Sequence, residues 1–105
     1  MPGWYLLLCA AVLEGISAIP AYSATVQIII TNLEYSPAEL EVRAGDTVEW
    51  INQDILAHTA TVRRDWDVMI AAKAKASLIL KKAGTVEYYC RFHPNMKGRI
   101  HVKPE

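Results

Sequence analysis

Gly84-Thr85-Val86-Glu87-Tyr88-Tyr89-Cys90-Arg91-Phe92-His93-Pro94-Asn95-Met96-Lys97-Gly98 is the stretch on which the reading of this chain turns. Val86 and Tyr88 alternate with Thr85 and Glu87, the two-residue period of a strand that buries one face. By the same count Cys90 shares the inward face of Val86 and Tyr88, at the end of its strand. Pro94 has a fixed φ and no N–H to donate, so no central strand runs through it. His93 and Met96 therefore fall on a loop, and Gly98 is placed to ease the turn into a final strand from Arg99 to Val102.

The same period recurs upstream. Val26, Ile28 and Ile30, then Leu40 and Val42, Val48 and Trp50, Ala60 and Val62, and Leu78 and Leu80 each alternate with polar neighbours. Ile100 and Val102 do so at the C-terminal end. Turn signals stand between them at Ser36-Pro37, Ala44-Gly45-Asp46, Asn52-Gln53-Asp54 and Ala83-Gly84. Short strands at this spacing, without an amphipathic helix, predict an all-β antiparallel β-sandwich. Ala71 to Ala76 has helix-forming composition but is short and closely bracketed, and it reads as a turn or loop.

Size and charge bound the function. A chain of 105 residues, 52% of them hydrophobic, supports one core and one domain. Eleven acidic and eleven basic side chains cancel, so net charge points neither to nucleic acid nor to a membrane surface. Residues 1–23 differ from the rest. An apolar run from Trp4 to Leu13 leads through Gly15 and Pro20 to Ala21-Tyr22-Ser23, with small residues at −3 and −1 of a cleavage point. That is the pattern of a cleaved secretory signal, and about ten apolar residues are too few for a helix that must cross a bilayer with about 20. Cys9 lies within it in a poor lipoprotein context, which leaves the expected mature domain, 24–105, a single thiol at Cys90. A lone thiol in an oxidising compartment calls for something to hold it.

His58 opens a strand, sharing its inward face with Ala60 and Val62, while Thr59, Thr61 and Arg63 are expected to face out. His58 and Cys90 then meet at one pole of the sandwich, beside the loop that carries His93 and Met96. The order His…Cys-x-x-His-x-x-Met is the ligand set of a blue copper site: two imidazoles and a thiolate near one plane, with a weak thioether on the axis. Zinc fits less well, since methionine is a poor zinc ligand and no further Cys, His or carboxylate joins the motif. A Cys–His nucleophile would need an oxyanion hole that nothing suggests, so the chain does not read as an enzyme. Paired His-x-His motifs of a multicopper oxidase are absent from the sequence. His101, beside Lys103, is expected to be solvated.

From about Ala24 onward the chain resembles the cupredoxins, and most closely the amicyanins. The likeness is densest in Ala44-Gly45-Asp46-Thr47-Val48-Glu49-Trp50-Ile51-Asn52, Gly84 to Cys90, and His93-Pro94-Asn95-Met96-Lys97-Gly98. Two residues between His93 and Met96 is the amicyanin spacing, whereas plastocyanins and pseudoazurins place more there. The resemblance implies an eight-stranded Greek-key sandwich and a periplasmic carrier of single electrons, with one copper ion held by His58, Cys90, His93 and Met96. It also implies redox-protein partners, a dehydrogenase as donor and a c-type cytochrome as acceptor, with the carrier itself a monomer that is not inserted in a membrane. A periplasmic copper-binding or delivery module is the other function class, although Met- or His-rich exchangeable surface ligands are missing. Two departures stand out. Ala57-His58-Thr59 replaces the Pro-His-Asn of amicyanins, so the hydrogen bond of that asparagine must come from the Thr59 hydroxyl or a backbone N–H. Arg91, Phe92 and Asn95 replace smaller or apolar loop residues.

For docking, Phe92, Pro94 and Met96 are expected to form an apolar collar around His93, with Met69 or Ile70 contributing from an opposite loop. Arg63, Arg64, Arg91, Lys97 and Arg99 would add a basic rim suited to an acidic partner, or else ordinary solvated surface.

Overall fold

A computed structural model describes residues 22–105; the expected signal segment lies almost wholly outside the described residues. Nine strands are described: β1 (Thr25–Thr31), β2 (Glu34–Ser36), β3 (Glu39–Arg43), β4 (Thr47–Asn52), β5 (His58–Val62), β6 (Trp66–Ile70), β7 (Lys75–Ile79), β8 (Gly84–Tyr89) and β9 (Lys97–Lys103). One sheet runs β2-β1-β4-β7 and the other β3-β9-β8-β5-β6. The inward residues of the alternating runs, Ile28, Ile30, Val48, Trp50, Ile70 and Ile100 among them, form the core between the sheets and are fully buried. The all-β sandwich expected from periodicity is present.

The sheets are mixed rather than purely antiparallel. β1 pairs parallel with β4, and β3 with β9, while the remaining pairs are antiparallel. The reason is connectivity. The chain leaves the first sheet after β2, enters the second as β3, and returns as β4 beside β1 and parallel to it, a pairing that no tight hairpin could make.

β2 and β6 add two strands to the seven expected from alternation. β2 has three residues and closes a two-residue turn in which Asn32 and Leu33 both have positive φ, 52° and 59°, the requirement of a hairpin turn of the type I′ kind. β6 carries a clean alternation, with Trp66, Val68 and Ile70 turned toward the core and Asp67 and Met69 exposed. Met69 and Ile70 thus belong to a strand and not to a loop, and Ile70 is core. β7 starts at Lys75, inside the stretch expected to be a loop.

β5 also departs from simple parity. His58, Thr59, Ala60 and Thr61 are all buried, so Thr59 and Thr61 are not solvent-facing as expected. β5 lies inside its sheet between β8 and β6, and both hydroxyls are enclosed by polar partners instead of water.

Candidate metal centre

The three-residue interval between Cys90, His93 and Met96 has a backbone cause. His93 N–H donates to the Cys90 carbonyl (3.2 Å) and Met96 N–H to the His93 carbonyl (2.8 Å), two successive turns of the i to i+3 kind. Cys90 N–H then donates to the Met96 carbonyl (3.1 Å) and closes the loop on itself. The register of β8 with β9 fixes both ends, since Tyr89 faces Lys97.

Across this loop stands His58, the first residue of β5. Its Nδ1 lies 3.8 Å from Cys90 Sγ, and Nδ1 of His93 lies 3.7 Å from the same sulfur. The three donor atoms fall within 4.8 Å of one another, and the two imidazole centroids are 5.1 Å apart. Cys90 and His58 are fully buried, while His93 is half-buried at the surface. Met96 is buried in the same loop and packs with the core. It therefore cannot belong to an exposed collar; Phe92, 48% exposed, and Pro94 remain at the surface beside His93.

Asp54 was read from the sequence only as part of a turn, yet it orients His58. Its Oδ2 accepts from His58 Nε2 at 2.8 Å. A carboxylate can only accept, so the proton sits on Nε2 and the Nδ1 lone pair is free to face Cys90. Asp54 also accepts the N–H groups of Asn32 (2.8 Å) and Leu33 (3.0 Å), tying the β1–β2 turn to the histidine. Burial works against the charged carboxyl, but the Leu33 N–H, the His58 ring and the Asn32 N–H outweigh it and hold its pKa below the usual carboxylate range. Asn52, fully buried at the end of β4, supports this loop: it accepts from Asp54 N–H (2.9 Å) and donates to the Leu56 carbonyl (2.9 Å) and the Ala71 carbonyl (3.1 Å). The signal was an aspartate four residues before the histidine, at the right distance to reach back over a short loop.

Thr59 serves Cys90 twice. Its backbone N–H donates toward Cys90 Sγ at 3.3 Å, and its hydroxyl accepts from Arg91 N–H at 2.9 Å. At the position of the missing asparagine the backbone N–H thus donates to the sulfur, while the hydroxyl accepts from the next amide.

The basic rim is largely spent on partners. Arg91 makes a two-pronged contact with Asp67 (2.9 and 3.1 Å), Arg99 pairs with Glu87, and Arg63 Nε donates to Tyr89 Oη (3.3 Å). His101 is not simply solvated: Nε2 meets Glu39 at 2.6 Å and Nδ1 meets the Thr85 hydroxyl at 3.0 Å.

A soft, fully buried sulfur donor with two imidazole nitrogens beside it is a donor set suited to copper. Comparison with known proteins agrees with that chemistry. Residues 3–102 match the cupredoxin-like domain family. The chain is a cupredoxin. It is 31% identical to amicyanin of Paracoccus denitrificans over 94 residues, 83% of this chain and 72% of that protein. It is 30% identical to amicyanin-alpha of Methylorubrum extorquens over 103 residues, covering 91% and 85% respectively. Among solved structures, a proline-to-alanine variant of amicyanin in the oxidised state superposes with a TM-score of 0.72 at 28% identity, covering 82% of this chain and 97% of that one. The cofactor of this cupredoxin is one type 1 copper ion, which when bound supplies a one-electron couple between Cu(I) and Cu(II).

Proposed function

We propose that the chain is a periplasmic blue copper electron carrier whose metal would be held by His58 Nδ1, Cys90 Sγ, His93 Nδ1 and the Met96 thioether. The observation that carries this reading is the convergence of both Nδ1 atoms on one buried sulfur, at 3.7 and 3.8 Å. Around it the chain's own residues act as a frame. Asp54 fixes the His58 tautomer, Thr59 N–H donates to the sulfur, and the closed turn from Cys90 to Met96 limits rearrangement. His93 is the ligand with access to the surface, and Phe92 and Pro94 beside it give electrons an apolar place to cross.

A copper-delivery role fits less well. Release to a partner requires ligands the partner can reach, whereas His58 and Cys90 have no exposed surface. The carrier would take electrons from a dehydrogenase and pass them to a c-type cytochrome, with no turnover of its own, after loss of residues 1–23 as a secretory signal.

The test is the absorption spectrum of the purified chain after addition of Cu(II). An intense thiolate-to-copper charge-transfer band that vanishes in Cys90→Ser is expected, followed by reversible one-electron voltammetry. Copper bound without that band would sink the reading; a band without reversible electron exchange would favour storage.

A further inference from the structure

Asp67 is far from the copper motif in sequence, yet it ends a hydrogen-bond chain that begins next to Cys90. Arg91 N–H donates to Thr59 Oγ1 (2.9 Å), Thr59 Oγ1 lies 2.9 Å from Thr61 Oγ1, and the Thr61 hydroxyl donates to Asp67 Oδ1 (2.5 Å). The Arg91 guanidinium returns to both oxygens of Asp67 through Nε and Nη2. The circuit closes on a single residue: main chain at one end, side chain at the other.

The direction of every proton in this ring follows from its ends. An ionised carboxylate accepts only, so Thr61 must donate to Asp67. The Thr61 hydroxyl proton is then spent, and Thr61 Oγ1 must accept from Thr59. The Thr59 proton is spent in turn, which leaves its oxygen to accept the Arg91 amide. Bonds ordered head to tail polarise one another, and this chain runs through Thr59 and Thr61, which are almost fully buried. Asp67 and Arg91 themselves are 49% and 40% exposed, and as an isolated surface pair they would contribute little. What distinguishes them is the buried relay between them.

We propose that Asp67 is a positioning residue for the copper thiolate, acting through Thr61 and Thr59 to hold the Cys90–Arg91 linkage, with Arg91 closing the ring. This rests on the blue copper reading for its redox consequence, but not for the ring itself. Thr59 holds Cys90 from two directions, its N–H on the sulfur and its hydroxyl on the next amide. Fixing that hydroxyl fixes where the sulfur sits relative to His58 and His93. The register of β5 with β6, which sets Thr61 opposite Asp67, builds the device into the sheet.

The experiment compares Asp67→Ala, Thr61→Val and Thr61→Ser in the full chain, metal-free and Cu(I)-loaded. Deuterium exchange of the Arg91 amide should quicken about tenfold in the first two, the loss expected for one buried hydrogen bond, and stay at the parent rate in Thr61→Ser. In copper-loaded protein the reduction potential should move in the same two variants and be restored by serine. Unchanged Arg91 exchange in Asp67→Ala, a half-exposed position, overturns the proposal. So does faster exchange with an unmoved potential. If the parent gives no charge-transfer band with Cu(II), the blue copper reading fails separately, while the metal-free exchange still decides whether the ring holds.

Discussion

Gly98 lies against the ring of Tyr88, its register partner across β8 and β9, so closely that a Cβ built on it would fall inside contact distance of Tyr88 Cζ, Cε1 and Oη. The ring cannot easily give way. It is packed edge-on against Tyr35 (4.6 Å) and Trp50 (5.7 Å) and lies 6.1 Å from Trp66, and Trp50 Nε1 donates to its hydroxyl at 3.4 Å. Gly98 is therefore needed for closeness rather than for a left-handed turn, which is found instead at Gly45 (φ 98°) and Gly84 (φ 136°). Gly98→Ala should cost about 1–3 kcal/mol of stability, the usual range for overpacking. Urea unfolding measures it, and a variant as stable as the parent would show that the sheet can open there at little cost.

Asp54→Ala should loosen copper binding without removing a ligand. His58 would lose the acceptor that keeps its proton on Nε2, and the Asn32 and Leu33 amides would lose theirs. Partners of metal-binding histidines typically change affinity about ten- to a hundredfold, and a fall of that order is expected in chelator competition. Asp54→Asn, which keeps an acceptor oxygen, should recover most of it. An unchanged affinity in Asp54→Ala would mean that packing alone orients the His58 ring.

The fold and the centre differ in how far the linear sequence exposes them. Val86, Tyr88 and Cys90 could be placed because a half-buried strand writes its inner face at every second residue, and Pro94 marked the loop. Asp67 in β6 could not be recognised as part of the site, because its partner Thr61 lies across a strand pairing and Arg91 across the sheet. Thr59 and Thr61 broke the parity rule because their hydroxyls found protein acceptors and donors, and polarity predicts exposure only where such partners are missing. Parallel pairing of β1 with β4 is a property of how the chain crosses between sheets, and residue alternation is the same in either direction. The sequence places Met96 on the loop after Pro94; its burial depends on the Met96–Cys90 loop closure.

Acid should act at the opposite pole through Asp46. Its Oδ1 accepts Ala24 N–H (2.8 Å) and its Oδ2 accepts Arg43 N–H (2.9 Å), and these two bonds lower its pKa in the folded chain. A folded value below the unfolded one contributes stability above the unfolded pKa near 4, and that contribution is lost as pH falls through the folded value. Asp46→Asn should therefore unfold at lower urea than the parent at pH 7. The gap should narrow as pH falls below about 4, as protonation removes the parent's advantage. A gap independent of pH would assign the effect to shape rather than charge.

Salt should have little influence on how two copies of this carrier exchange electrons through the His93 end. Formal charge is zero for the full chain and only +1 for 24–105, which lacks Glu14, and Arg91 and Arg99, two of the cations expected to line that end, are neutralised by Asp67 and Glu87. Steering requires uncompensated charge, which salt then screens over about 8–10 Å at ordinary ionic strength. Electron self-exchange, read from line broadening in mixtures of reduced and oxidised protein, should change less than about threefold between low and high salt, given that steered encounters vary far more. Asp67→Ala leaves Arg91 unpaired on both encountering surfaces, so its self-exchange should be slower than the parent's at low salt and recover as salt is added. A parent rate that itself climbs steeply with salt would mean that the paired arginines still present net positive charge to a docking partner.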